Sequence, residues 1–312
     1  TDGRYEEQAA GQLAGAGSAA TVAVARTLAE QRAAVVERAG SGGALGLEAD
    51  HVSWADQRRY ASEWFPDAAL VPTAGLVEAL RAVKDDAELA RIEAACAIAD
   101  AALATTVARL DEAPTELAFG LALDAAMRER GADDVSFETI VASGPNGSRP
   151  HHRPSSRRIE RGDLVVLDFG ALVDGYHSDM TRTVCVGEPG DPTLRRMVEV
   201  VAASQAAGVA AVRPGIGAGE VDGVCRGVIA EAGWADAFVH GTGHGVGLDI
   251  HEDPRVSWAA DATLASRHVV TVEPGVYLPG HGGVRIEDTV VVTPDGCRTL
   301  TRAPKPLDPE VA

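Results

Sequence analysis

Four acidic residues stand in this sequence where acids are costly. Asp168 interrupts the apolar run Leu164–Phe169, Asp179 follows in HSDMTRT, Glu273 closes VVTVE, and Glu287 follows Ile286 in RIED. A carboxylate on a buried strand loses its hydration, so the charged form needs a partner or gives way to the protonated one. An arginine is the ordinary partner, and Arg182 for Asp168 or Arg285 for one glutamate would serve. One guanidinium satisfies one carboxylate and leaves the others in repulsion. Gathered in one place, the four negative charges are cancelled by two divalent cations.

The segment FVHGTGHGVGLDIHEDP (238–254) supplies nitrogen donors. His240, His244 and His251 alternate there with Gly241, Gly243, Gly245 and Gly247, and glycine lets a backbone approach a ligand closely. Val246 and Leu248 break the GxGxxG spacing, which argues against a dinucleotide. His244 joined to Asp168, Asp179, Glu273 and Glu287 makes five side-chain donors, mostly oxygen. Such a set suits two divalent ions, Mn²⁺ first, with Co²⁺, Fe²⁺ or Zn²⁺ as further candidates. A metal pair of this kind lowers the pKa of a shared water and polarises a carbonyl, which is the equipment of a hydrolase.

The elements that must position these donors are partly legible. Asp174-Gly175 between two β-rich runs predicts a two-residue hairpin turn. That turn sets Val173 opposite Tyr176 and Asp168 opposite Thr181, with Asp179 on the face of Asp168. The segments 269–275 and 282–292 read as two further strands. A helix pattern covers Ala19–Arg38 and stops at Gly-Ser-Gly-Gly (40–43). A second helix opens on Asp85 with Glu88 three residues later, a capping box, and carries Leu89, Ile92, Cys96, Ala99, Leu103, Val107 and Leu110 on one face. A faint repeat places Arg109 and Glu116 in register with Arg213 and Glu220, and a short helix ends near Gly131 in one copy and near Gly233 in the other. The chain therefore reads as a small α/β segment, residues 1–82, followed by a larger domain, residues 83–312, of two similar α-plus-β halves with a site between them.

Composition bounds the rest. The chain has 312 residues, 46% of them apolar and 24% charged, enough for a sizeable core built mostly from aliphatic side chains. Its net charge of −18 repels phosphate backbones and anionic lipid, so neither nucleic acid nor membrane is expected as a partner. No apolar run reaches membrane-helix length. Cys96, Cys185, Cys225 and Cys297 lie far apart, which fits neither a thiolate zinc site nor a disulfide framework and suggests the cytoplasm.

Taken together, LDFG, HSDMTRT, HGTGHGVG, VEPGVY and RIED resemble the pita-bread-fold metallopeptidases, whose ligands run Asp, Asp, His, Glu, Glu. SGPNGSRPHH and the opening TDGRYEEQA are similar to the proline-specific branch, prolidase and aminopeptidase P, and against that branch the N-terminal domain reads as truncated. The resemblance implies an α+β pita-bread catalytic domain and hydrolysis of an Xaa-Pro bond at the N-terminus of dipeptides or short peptides. It implies that Asp179 and Glu287 bridge two metals, that Asp168 completes one ion, and that His244 and Glu273 complete the other. It gives Glu273 the general-base role, His151 a proton-shuttling role, His240 and His251 the substrate side, and Arg285 a place in the site. A homodimer is common in the family. Two other readings stay open: a methionine aminopeptidase-like enzyme, and a non-catalytic interaction protein or metal-free hydrolase on the same fold.

Overall fold

The computed structural model describes residues 1–40 and 42–305. Two compact units divide between Leu76 and Val77. The first holds helices α1 (Glu6–Gly15), α2 (Leu28–Ala39) and α3 (Trp54–Arg59) with a parallel pair of strands, β1 (Gly43–Glu48) and β2 (Ala68–Thr73). The helix expected over Ala19–Arg38 begins only at Leu28, because Thr27 caps it: the hydroxyl accepts from Glu30 N while the Glu30 carboxylate reaches back to Thr27 N. Gly40 ends α2, and Ser41 of the expected stop lies outside the described residues.

Helix α4 (Leu76–Ala82) leads into the second unit. There α5 (Asp86–Thr106) starts on the expected capping box, Asp85 accepting from Glu88 N and Glu88 from Asp85 N. Its buried face holds Ile92, Cys96, Ala99 and Leu103, and the line continues through Val107 and Leu110 in a 3₁₀ turn. After α6 (Glu116–Glu129) come β3 (Asp134–Val135), β4 (Ile140–Ser143), β5 (Leu164–Phe169), β6 (Ala171–Val173), β7 (Tyr176–His177) and β8 (Met180–Cys185). The second half repeats the order with α7 (Pro192–Ala211) and α8 (Ala218–Glu231), then β9 (Gly243–Gly245), β10 (Glu252–Val256), β11 (Val269–Val272), β12 (Gly275–Leu278), β13 (Gly282–Arg285), β14 (Asp288–Thr293) and β15 (Gly296–Thr299). In both halves a long helix precedes one of 14 residues, which ends before a glycine of positive φ, Gly131 or Gly233.

Each half has its own core. Leu103, Phe119, Leu123, Met127, Val165 and Leu167 pack in the first; Met197, Val221, Ile229, Val270, Val272 and Val290 pack in the second. Burying such apolar side chains stabilises by roughly 1.5–3 kcal/mol each. β4-β5-β8 form one antiparallel sheet and β10-β9-β11-β14-β15 another. Asp174 (φ 48°) and Gly175 (φ 82°) form the hairpin turn, and the predicted register holds: Val173 faces Tyr176 and Asp168 faces Thr181. The segment 282–292 is not one strand. It leaves the β12-β13 pair after Arg285 and joins the five-stranded sheet at Asp288, so Ile286 and Glu287 lie at the crossing. No helix among the described residues is long and apolar enough to cross a membrane.

Candidate metal centre

The five donors come from strands of the larger unit or from residues directly beside them. Asp168 sits in β5, Asp179 directly before β8, His244 in the middle of β9, Glu273 directly after β11, and Glu287 at the crossing between β13 and β14. All five line one cavity of about 890 Å³, and so do His151, His240, His251 and Arg285. Thus every residue singled out in the sequence reaches the same space.

Strand β9 runs between β10 and β11, and its glycines explain how His244 gets there. A Cβ on Gly243 would stand 2.1 Å from Thr271 O, and one on Gly245 would stand 2.3 Å from Asp253 O. Only glycine lets the neighbouring strands close on the histidine from both sides. Backbone bonds fix the glutamates: Glu273 N donates to Thr242 O at 2.7 Å, and Glu287 N donates to Thr181 O at 3.1 Å.

The donor atoms converge. Ligand atoms of Asp179, His244 and Glu287 all lie within 4.8 Å of one another, and all three side chains are buried. His244 Nδ1 donates to Gly245 O at 3.0 Å, and burial pulls its pKa down to about 3, so the ring is neutral with a lone pair on Nε2. That lone pair faces Asp179 Oδ2 at 3.4 Å and Glu273 Oε1 at 3.3 Å. Three acceptors pointing at one another need a cation or a proton among them. Burial pushes the Asp179 and Glu287 carboxyls well above the usual carboxylate range, and the neighbouring acids push further. Burial likewise lifts Glu273 to about 7. Asp168 Oδ1 and Glu287 Oε1 are buried without a hydrogen-bond partner among the described residues. Orphaned oxygens, a neutral imidazole and mutually repelling carboxylates fit divalent cations.

The arginines behave differently from either ordinary pairing weighed in the sequence. Arg182 turns away from Asp168 and binds Asp288 Oδ1 at 3.0 Å together with Ala303 O. Arg285 pairs with Asp168 Oδ2 at 2.6 Å rather than with a glutamate. The guanidinium also donates from Nε to Thr181 Oγ1 at 3.0 Å, and Thr181 Oγ1 donates to Glu287 Oε2 at 2.7 Å. Arg285 pairs with only one of the four carboxylates, and the other three are left without an arginine partner among the described residues.

Several participants were not legible in the sequence. Tyr277 is buried, takes a bond from Arg285 Nη1 at 2.8 Å, and lies 2.8 Å from His240 Nε2. His240 Nδ1 donates to Gly241 O at 2.7 Å, so Nε2 is the acceptor and the tyrosine hydroxyl is the donor. Both His240 nitrogens are thereby engaged, whereas the ring nitrogens of His251 make no hydrogen bond among the described residues. Tyr277 lies in VEPGVY, beyond the end of the strand read over 269–275, and nothing in its spacing marked it. On the other wall His152 is buried with Nε2 2.9 Å from Glu116 Oε2, and His151 stays exposed at the cavity. Arg255 also lines the cavity, and among the described residues it makes no ion pair; an isolated arginine three residues after Glu252 carried no signal.

This geometry defines a metal-dependent hydrolase built between two similar halves. A family model described as metallopeptidase family M24 matches residues 90–294, and one described as creatinase/prolidase N-terminal domain matches residues 1–83. The chain belongs to metallopeptidase family M24, and its larger unit has the pita-bread fold. It is similar to the Xaa-Pro dipeptidase of Pyrococcus furiosus, 43% identical over 232 residues, which cover 74% of this chain and 66% of that protein. It superposes on a solved Xaa-Pro dipeptidase from Bacillus anthracis with a TM-score of 0.92 at 39% identity, covering 99% of this chain and 85% of that one. An X-Pro aminopeptidase from Thermotoga maritima gives 0.90 at 34% identity, covering 99% and 84%.

Proposed function

We propose that this chain hydrolyses the bond between an N-terminal residue and proline, with two divalent ions held by Asp168, Asp179, His244, Glu273 and Glu287. The observation that carries the reading is the neutral His244 Nε2 facing Asp179 and Glu273 oxygens at 3.4 and 3.3 Å in a cavity of a metallopeptidase-family chain. Mn²⁺ is the first choice for so oxygen-rich a set. When bound, such ions supply a water of lowered pKa and a polarised substrate carbonyl.

The protein's own residues do the rest. Glu273 takes the water proton and passes it to the leaving nitrogen, the general-base role, with His151 at the cavity as its shuttle partner. His251 donates to the developing oxyanion, because its ring nitrogens make no hydrogen bond among the described residues while those of His240 are tied to Gly241 and Tyr277. Arg285 holds Asp168 and Tyr277 in place. Proline offers no N–H, so the site needs no acceptor for one. Arg255 is the cavity cation left to receive a free carboxylate, since Arg285 is paired with Asp168 and Arg153 with Glu138 at 2.9 Å. A prolyl carboxylate at the end of a dipeptide suits it, and dipeptides are the preferred substrates.

In this reading residues 83–312 are the catalytic domain and 1–82 a creatinase/prolidase-type N-terminal domain. The protein works on proline-containing peptides, in the cytoplasm and without nucleic acid or membrane, as a homodimer like others of its family; the −18 charge supports the absence of nucleic acid and membrane, and the four widely spaced cysteines support the cytoplasm. The test is a comparison of Ala-Pro, Ala-Pro-Ala and Met-Ala across a metal panel. Ala-Pro should be cleaved fastest with Mn²⁺, stop with chelator, and resume on metal return. Faster cleavage of Met-Ala, or full activity after exhaustive chelation, would overturn the reading.

A further inference from the structure

A cluster of charges lies behind the cavity wall and touches no part of the metal centre. Lys84 is 1% exposed, and its ammonium donates to Glu252 Oε1. Arg81 Nη2 donates to Glu252 Oε2 at 2.8 Å and to Asp249 Oδ2 at 2.7 Å. Burial lowers the Lys84 pKa, and the Glu252 carboxylate opposes that shift. Lys84 N donates to Arg267 O at 3.1 Å, and Arg267 Nε donates back to Lys84 O. The lysine is thus fixed at the start of α5, beside the capping box. Next to a boundary expected near residue 82, such a lysine would ordinarily be a solvated charge. Its burial needs a reason.

Glu252 supplies one. It stands between His251 and Arg255, both of which line the cavity, while Glu252 itself does not. Along β10 the residues alternate, Arg255 exposed and Pro254 and Val256 buried, so fixing Glu252 from behind fixes which way its neighbours project. Gly247 makes room for the carboxylate: a Cβ there would stand 2.4 Å from Glu252 Oε1. Glu252 pairs across the ladder with Gly245, the residue after His244, and the His251 ring meets the His244 ring edge-on with centroids 4.4 Å apart.

We propose that Glu252, held by Lys84 and Arg81, is a positioning residue that sets His251 and Arg255 for the substrate. The inference rests on the Xaa-Pro reading above, in which those two residues meet the peptide. A carboxylate held by two cations at one end of a strand fixes its direction more tightly than backbone pairing alone, particularly where the β9–β10 register shifts between Glu252 and Val256.

The test uses the full Mn²⁺-loaded chain with Ala-Pro, comparing Glu252→Gln, Lys84→Met and Arg81→Ala. KM should rise about tenfold in the first two and about threefold in Arg81→Ala, the more solvated partner, with kcat and bound manganese close to the parent. The double variant Lys84→Met/Glu252→Gln should be no worse than either single one, because both break one contact. In metal-free protein labelled with ¹⁵N-histidine, the His251 and His244 ring signals should move in Glu252→Gln while that of His281 stays. Unchanged KM and unchanged ring signals would overturn the proposal even if the melting temperature fell. Should Lys84→Met not fold, Glu252→Gln and Arg81→Ala decide. A parent that fails to cleave Ala-Pro with any metal would sink the activity reading instead, and the histidine spectra would still judge the positioning.

Discussion

The two halves of the larger unit meet the same structural need with different chemistry. Each 14-residue helix carries a buried carboxylate that ties down a loop entering the cavity. On α6 this is Glu116, which accepts from Ser143 N at 2.8 Å, Asn146 Nδ2 at 2.9 Å, and Ser155 N at 3.0 Å, along with both serine hydroxyls. On α8 it is Asp222, which accepts from Thr242 N at 3.0 Å and pairs with Arg226. Arg226 in turn donates to Phe238 O and His240 O and stacks over the rings of Phe238 and Trp258. The first half orders its loop with serine, asparagine and histidine donors around one carboxylate, whereas the second pairs its carboxylate with an arginine. A carboxylate on which several backbone and side-chain donors converge has no substitute when its charge is lost. One paired with an arginine that has other partners leaves those partners in place.

The largest expected effect concerns what the halves share. Asp179 comes from the first and Glu287 from the second, so Asp179→Ala and Glu287→Ala should each lower Ala-Pro turnover more than about a hundredfold, since even outer partners of metal sites cost 10–100-fold. The double variant should lose no more than either one, because the two act as a unit. Activity within a few-fold of the parent in a single variant would dissolve the joint centre.

Stability then separates the halves. Burial alone would raise the Glu116 pKa, but the bonds from Ser155, Asn146 and Ser143 outweigh it and bring it to about 2 from 4.5. A folded-state value below the unfolded one stabilises above pH 4.5 and is lost as the pH falls towards 2. Glu116→Gln should therefore cost about 3 kcal/mol at neutral pH by urea denaturation, and the gap to the parent should close on acidification. Asp222→Asn should cost less, about 1–2 kcal/mol, because the amide oxygen still accepts from Thr242 and Arg226 keeps its carbonyl and ring partners. Equal costs would break the contrast. The smallest effect is expected from Arg255→Met: KM for Ala-Pro should rise several-fold with little change for Ala-Pro-Ala, and an equal change for both peptides would remove the carboxylate role.

Local pattern revealed the parts of this molecule that local physics decides. The Asp174-Gly175 turn fixed the hairpin register, Asp85 and Glu88 marked a helix start, and the acids in apolar runs marked the cavity. The late start of α2 was missed because the pattern over residues 19–26 continued across the Thr27 cap. The crossing at Ile286–Glu287 was invisible because both sides read as one strand. The Arg285–Asp168 and Lys84–Glu252 contacts join residues far apart in the chain, and no period or spacing encodes them.

The central claim is that cations hold the four carboxylates together. In metal-free protein the Asp179, Glu273 and Glu287 carboxyls titrate above their usual range, chiefly through burial. An acid whose folded-state pKa is raised loses stability as the pH climbs from its unfolded value through the folded one. Urea denaturation from about pH 5 to pH 8, chelated against loaded at fixed free Mn²⁺, measures this directly. The chelated protein should weaken as the pH rises while the loaded protein holds, so the gap between them widens. A gap that stays flat, narrows or never appears would contradict a shared metal centre.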